Sequence, residues 1–358
     1  MKKYLRRLYY SASPEICLDI CAWAKKKGLP FVPLTPPVID HVEKFAQEDP
    51  LARVEIDVHR AGLERWQTLV GIEGAIVRDY DGIVELPDGK ICYEGNWWIN
   101  YLKKHPSYKK RFELRKRRLQ GDYYSLLCLW GSTYFHWFQD VLPRLHTAMP
   151  HLPKDTRFLI NENPKEYQIK SLKAFGIDES KLELQPQRMN TRIERLWFAS
   201  PIGHTGLTSP TILRLVADRI RKFYVTEKVQ LDSGRMWISR EKARNRRVAN
   251  EKELQSVLKH YGIEKVFAED HSFFEQLKIY YSAQLIVGPH GAGLVNTMFC
   301  KEKTKVCEVA PPRVPPCYLI SCQGLGLDFT RMFANPLSEG QDTDMDLDVA
   351  KLAEYLSK

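Results

Sequence analysis

The chain reads as an α/β protein built from two successive lobes, and three observations carry that reading. From residue 121, and again after 231, strand-like apolar runs alternate with amphipathic helical runs, the pattern of a parallel sheet with crossover helices. With 358 residues the chain exceeds one ordinary core and fits two domains of roughly 150 residues each. A composition of 44% hydrophobic and 27% charged residues is that of a folded globular protein. The expected division is residues 1–230, an α/β domain with an irregular N-terminal segment, and residues 231–358, a second α/β domain.

In chain order, residues 1 to about 70 mix short helical patterns with the proline-rich "LPFVPLTPPVID" and are expected to be loosely organised. "AIVRDYDGIVELPDGKICYEG" alternates apolar and polar residues around Asp81-Gly82 and Asp88-Gly89, which predicts short antiparallel strands with tight turns. The first alternation then runs "YYSLLCLW" as strand, "HWFQDVLPRLHTAM" as helix, "RFLINEN" as strand, "EYQIKSLKAFGI" as helix, and "KLELQ" and "RIERLWFAS" as strands. The amphipathic "SPTILRLVADRIRKFYV" is expected to be a long helix joining the lobes. In the second alternation "RMWISR" is a strand, and "NEKELQSVLKHYG" a helix with capping-box spacing at Asn250 and Glu253 and an end at Gly262. "EKVFAED" follows as a strand and "SFFEQLKIYYSA" as a helix capped by Ser272 with Glu275. The strand "QLIVGP", a glycine loop, a helix behind it, the strand "KVCEVAPP" and the closing helix "LDVAKLAEYL" complete the chain.

Three constellations carry candidate chemistry. In "LIVGPHGAGLVNTMFC", His290, Gly291, Ala292, Gly293 and Asn296 crowd a strand-to-helix junction, where glycines let backbone N–H groups approach an anion. The three-glycine dinucleotide fingerprint is incomplete, because Asn296 stands at its last position. Glu308 ends the next apolar strand, where a ribose-binding acid would sit; a solvated strand-end carboxylate is the alternative. In "TYFHWFQDVLPRL", His136 and Asp140 are four apart and share a helix face, while Pro143 disfavours a straight continuation to Arg144. In "WISREKARNRR", Ser239 and Arg240 follow a strand end. Guanidinium groups suit diphosphates, so Arg240 is expected to be functional and Arg244, Arg246 and Arg247 mostly surface. The run "KKRFELRKRRLQ" is expected to be a solvated or membrane-facing basic patch.

Several classes are disfavoured. No HExxH, GxSxG or GxxxxGK[ST] pattern occurs. The D-x-D spacings Asp79-Asp81 and Asp342-Asp344 fall in a turn and at a helix start, where acids are expected anyway, and are discounted as metal sites. The cysteines form no CxxC pair or zinc spacing, which suggests reduced thiols. No signal peptide and no membrane-spanning run is evident. A net charge of +10 favours anionic partners without choosing among them.

Taken in order, "FHWFQDVLPRL", "ISR" with the "NEKEL" helix, "SFFEQLKIYYSAQLIVGPHGAGLVNTMF" and "VCEVAPP" resemble glycosyltransferase family 61 over about residues 121 to 312. The resemblance implies a GT-B-like architecture of two facing Rossmann-like domains, with a nucleotide-sugar donor held mainly by the second. It also implies an inverting, metal-independent transfer to a glycan or lipid-linked glycan acceptor, with no cofactor. On this reading Asp140 or His136 is the general base and the other its partner. Arg240 and His290 face the diphosphate, Gly291, Ala292, Gly293 and Asn296 form the donor turn, and Glu308 reaches the ribose. Ser239, Arg144 and Glu275 complete the donor-side set. The absence of an evident anchor points to a cytoplasmic enzyme of capsule or surface polysaccharide synthesis, in peripheral contact with an anionic inner membrane. The rivals are a nicotinamide-dependent oxidoreductase and a non-enzymatic basic binder of nucleic acid or polysaccharide. The first is weakened by the incomplete fingerprint, the second by the lack of any nucleic-acid-binding motif, so no specific nucleic-acid partner is expected.

Overall fold

The computed structural model describes residues 14–47, 49–94, 115–224 and 234–358. They form two compact units, the described residues up to 38 with those between 61 and 208, and those between 39 and 60 with those from 209 onward. The helix Pro210–Tyr224, expected to join the lobes, packs in the second unit on Ala292–Phe299 and Cys317–Gly324, with Leu213, Val216, Ala217 and Ile220 buried. The change of unit therefore falls at 208/209 and not at 230.

Among the described residues the first unit has the strands β1 Ile16–Cys17, β2 Phe31–Thr35, β3 Gln67–Glu73, β4 Ile76–Arg78, β5 Ile83–Glu85, β6 Ile91–Cys92, β7 Lys116–Ser125, β8 Arg157–Asn161, β9 Leu182–Gln185 and β10 Asn190–Ala199. β9, β8, β7 and β10 lie side by side and parallel, the strand order of half a dinucleotide-type sheet. The far edge of β10 takes β3 and β4 antiparallel, so the sheet is mixed. The expected hairpin forms between β4 and β5. The entry segment is better organised than its prolines suggest. Its described residues include the helices Ile20–Lys27, Ile39–Ala46 and Pro50–Leu63, and β2 is paired with β3.

Residues 1–13 and 109–114 lie outside the described residues, and with them the N-terminal basic run and half of the basic patch. The rest of that patch opens β7, where Lys116, Arg118 and Gln120 are exposed and Arg117 and Leu119 are half-buried. The period of two makes it a strand with one wet face. "YYS" ends that strand, and "LLCLW" is the loop beyond it.

The second unit is a five-stranded parallel sheet: β11 Arg235–Ile238, β12 Glu264–Val266, β13 Leu285–Pro289, β14 Lys305–Ala310 and β15 Asp328–Phe333, ordered β12-β11-β13-β14-β15. Numbered within this unit the order is 2-1-3-4-5, a doubly wound sheet whose topology reverses between β11 and β13. Trp237, Val287, Cys307 and Val309 pack with Leu254, Leu258, Leu352 and Leu356 of the flanking helices. The Ser272–Glu275 capping box forms. The Asn250 cap does not, because its amide exchanges hydrogen bonds of 2.9 and 3.0 Å with the Leu347 backbone and the helix opens as a 3₁₀ turn. The segment behind the glycine loop is a 3₁₀ helix, Ala292–Phe299. The helix Cys317–Gly324 and β15 are additions to the expected elements. No disulfide joins any of the eight cysteines, and no described helix is long and apolar enough to cross a membrane.

Candidate functional site

Each unit places a histidine–carboxylate pair at the carboxyl ends of its parallel strands, where sheets of this type hold ligands. In the first unit the pair lies beyond β7 and β10. Leu126–Thr133 leaves β7 as a tight loop, with Thr133 N and Oγ1 both donating to the Trp130 carbonyl at 2.8 Å. Trp130 sits at φ 59, a conformation costly for a bulky side chain, and its ring lies 5.3 Å from that of His136.

The helix that follows is interrupted by a π turn, Trp137–Val141, before resuming as Leu142–Ala148. Pro143 explains this, since it has no N–H to give the Gln139 carbonyl and its ring would crowd that oxygen. Leu142 N–H instead reaches Trp137 O, and Thr208 Oγ1 donates to Gln139 O at 2.9 Å. Single π turns of this kind are frequent at functional sites.

His136 Nδ1 lies 2.7 Å from Asp140 Oδ2. A carboxylate only accepts, so Nδ1 carries the proton and Nε2 is the basic nitrogen. Thr205, from the loop after β10, donates its hydroxyl to the same Asp140 oxygen at 2.8 Å and lies 3.1 Å from His136 Nδ1. The side chain of His136 is 18% exposed and that of Asp140 3%, so the imidazole is the outer member of the pair. Such an arrangement can take a proton at His136 and steady the resulting imidazolium with Asp140.

In the second unit the pair lies at the β11/β13 reversal. His290 follows β13 directly, its N–H bonded to Val309 O at 2.8 Å and its ring packed 5.1 Å from that of Tyr318. Nδ1 is 2.5 Å from Glu308 Oε1, and the other carboxylate oxygen accepts from Arg331 Nε at 2.7 Å. Burial lowers the pKa of His290, against the opposing pull of Glu308. Glu308 is fully buried; that burial raises its pKa, but the hydrogen bond from His290 and the charge of Arg331 oppose it, and the carboxyl is held below its usual range. A neutral imidazole beside a carboxylate follows, with Nδ1–H donating to Glu308 and Nε2 basic.

Arg240, just beyond β11, lies against Gly291 so closely that a Cβ there would overlap its guanidinium. The glycine is needed for that approach and not for its dihedral, since φ 173 suits any residue. Arg240 contacts Asn245 O at 3.0 Å, its Nε is buried without a hydrogen-bond partner, and its pKa is lowered by burial and then by the nearby Arg246. Arg246, expected at the surface, is half-buried at φ 56 and close enough to influence both His290 and Tyr318. Two arginines and a histidine thus gather where the sheet order reverses, a place suited to a diphosphate.

The remaining expected residues have other surroundings. Glu308 is enclosed with both oxygens engaged, so it does not extend toward a ribose. Asn296 is buried and bonded to Gln276 at 2.8 Å, and Glu275 is occupied in capping Ser272. Ser239 is buried, its Oγ accepting from Glu241 N at 3.2 Å. Arg144 is buried beneath the loop after β7, Nη2 reaching Ser125 O and Leu127 O at 3.3 and 3.4 Å. Gly293 accepts from Tyr280 Oη at 2.8 Å, and Ala292 is exposed. Asp79 Oδ1 accepts from Tyr80 N and Arg188 N, and Asp344 is bound by Arg247. No group of three potential metal ligands occurs among the described residues. Thr205, Tyr318, Arg331 and Asp49 were not anticipated. The only sequence cue to Thr205 is its place between two glycines, Gly203 and Gly206, after a strand.

Residues 134–307 match the family model described as Glycosyltransferase 61. The matched stretch contains His136, Asp140, Thr205, Arg240, Arg246 and His290, and ends one residue before Glu308. It supports glycosyltransferase activity. No curated protein matches the chain.

Proposed function

We propose that this chain is an inverting glycosyltransferase that moves a sugar from a nucleotide-sugar donor to a hydroxyl of a glycan or lipid-linked glycan acceptor. One observation carries the donor side: Arg240, Arg246 and His290 converge at the β11/β13 reversal, and the described contacts of Arg240 are to Asn245, with no carboxylate ion pair. Arg240 and Arg246, brought together at the cost of mutual repulsion with only Arg246 near a carboxylate, Asp342 at 3.6 Å, suit a bound anion, and a nucleoside diphosphate fits them. The second unit is then the donor side and the first the acceptor side.

His136 takes the acceptor hydroxyl proton on Nε2, and Asp140, held by Thr205, keeps the imidazole in that tautomer. The acceptor oxygen forms a bond to the anomeric carbon as the carbon–oxygen bond to the diphosphate breaks on the opposite face. The leaving diphosphate departs with the electron pair, and Arg240 and Arg246 offset its charge. Those cations do what a divalent metal does in other transferases, so the reaction proceeds without one. The natural setting is the cytoplasm, in capsule or other surface polysaccharide synthesis. The wet basic face of β7 with Arg192 supports peripheral contact with anionic lipid.

The test is a thermal-shift panel of nucleoside diphosphates and nucleotide sugars, followed by transfer assays with the donors that bind. A ligand at 100 times its Kd stabilises by about 2.7 kcal/mol. Stabilisation by one diphosphate series, and its release during transfer in excess EDTA, is expected. A flat panel overturns the donor reading, and loss of turnover on chelation with rescue by Mn²⁺ overturns the metal-free mechanism.

A further inference from the structure

The glycine-loop histidine stands at the end of a chain of charged groups that runs through the second unit. Asp49 Oδ2 lies 3.1 Å from Arg331 Nη1, Arg331 Nε donates to Glu308 Oε2 at 2.7 Å, and Glu308 Oε1 receives His290 Nδ1–H at 2.5 Å. The side chains of Arg331, Glu308 and His290 are 6%, 0% and 7% exposed, so the chain is dry except at Asp49. Burying a guanidinium and a carboxylate is expensive, and a pair so buried is weak support for stability alone. Asp49 is itself held in place, because its Oδ1 caps the helix Pro50–Leu63 through Leu51 N and Ala52 N at 2.9 and 3.0 Å.

We propose that Asp49, Arg331 and Glu308 are positioning residues that hold His290 with Nδ1–H toward Glu308 and Nε2 toward the ligand, so that a nucleoside diphosphate binds together with a proton taken up by His290. The inference rests on the donor site proposed above and adds a linkage that site does not require. The groups around the imidazole are Glu308 on β14, Arg331 on β15, Tyr318 on the Cys317–Gly324 helix and Arg246 from the loop after β11; Arg240 packs on the adjoining Gly291. In the free protein burial, aided by the charges of Arg246 and Arg331 and opposed by Glu308, lowers the pKa of the ring below its ordinary value. A diphosphate arriving on the Nε2 side brings negative charge next to the ring and reverses that balance. The proton enters on Nε2 and is shared with a phosphate oxygen, while Glu308, unable to turn away from Arg331, steadies the imidazolium from the other side.

Two measurements on the full chain test this. The first is calorimetry of UDP, with GDP, ADP and CDP beside it, in PIPES and Bis-Tris near neutral pH. The observed heat should differ between buffers by the amount that reports net proton uptake, and affinity should fall as pH rises. His290→Gln should abolish the buffer dependence. Glu308→Gln and Asp49→Asn should shift the affinity profile toward lower pH while a nucleotide still binds, and Asp49→Glu should restore it. Binding with no proton uptake overturns the linkage and leaves the donor site standing. If none of the four nucleotides binds, the donor reading fails for them, and the relay is judged on the second measurement. That is ¹⁵N NMR of histidine-labelled free protein, in which His290 should show the Nδ1–H tautomer. The Nε2–H tautomer in the wild type overturns the positioning claim. A folded Glu308→Gln variant with an unchanged tautomer and an unchanged pH profile does the same.

Discussion

The two histidine–carboxylate pairs differ most in their third partner. His136–Asp140 is completed by a neutral hydroxyl, Thr205, and lies one turn apart on a single helix. His290–Glu308 is completed by a guanidinium, Arg331, and spans neighbouring strands of a sheet. A hydroxyl orients a carboxylate without neutralising it, so the first histidine keeps a full negative charge behind it when it gains a proton. A guanidinium takes up much of the carboxylate's charge, so the second histidine stays neutral until an anion supplies what is missing. The same two residue types suit proton removal in one unit and anion binding in the other, and the neighbour decides which.

That contrast can be broken at several points, from the largest expected effect downward. His136→Ala should lower kcat by about 10²–10⁴-fold with nucleoside-diphosphate affinity nearly intact, as measured by steady-state transfer and calorimetry. Equal loss of binding and turnover would remove the division of labour. Asp140→Asn, which keeps the shape, should fall in the same range or somewhat short of it; near-normal activity in both variants would make "HWFQD" a packing helix.

On the other side of the comparison, Arg240→Ala should weaken nucleoside-diphosphate binding roughly ten- to hundredfold, the loss of one charge-assisted hydrogen bond. Gly291→Ala should resemble it, because the added methyl occupies the place of the Arg240 guanidinium. Unchanged affinity in either would return Arg240 to the surface. Thr205→Val should cost about tenfold in kcat and leave binding alone, as Asp140 loses a donor that holds it in place. A silent Thr205→Val would make the hydroxyl a bystander.

The smallest effect concerns stability against acid. His290 is folded with its pKa below the ordinary value of 6.5, so the unfolded chain binds more protons and stability declines as pH falls below that value. Glu308, also lowered, contributes stability above its ordinary 4.5 that is lost as pH falls further through its folded value. Chemical denaturation as a function of pH should show the first decline in the wild type and lack it in His290→Gln. A decline that persists unchanged would assign it to another group.

Much of this arrangement was legible in the sequence because it is local. The spacing of His136 and Asp140, the strand ends before Arg240 and His290, and the Ser272–Glu275 cap are set within a few residues, and the structure forms each pair or cap. Asn250 shows the limit: its spacing suits a cap, yet its amide is taken by Leu347, 97 residues away. Glu308 shows it again, since a strand-end acid looks solvent-facing until β15 lays Arg331 beside it.

Hydrophobic period and turn residues act over short distances, so most strands and helices after residue 121 could be read from them, with Cys317–Gly324 and β15 as exceptions. Only the tertiary structure decided which strand lies beside which, that residues 39–60 belong with the second unit, and that Thr205 and Arg331 complete the two pairs. The reason is physical: strand order and buried charge pairing are chosen by the free energy of the packed whole, to which residues far apart in the chain contribute together. No local period records which distant side chain will satisfy a buried carboxylate.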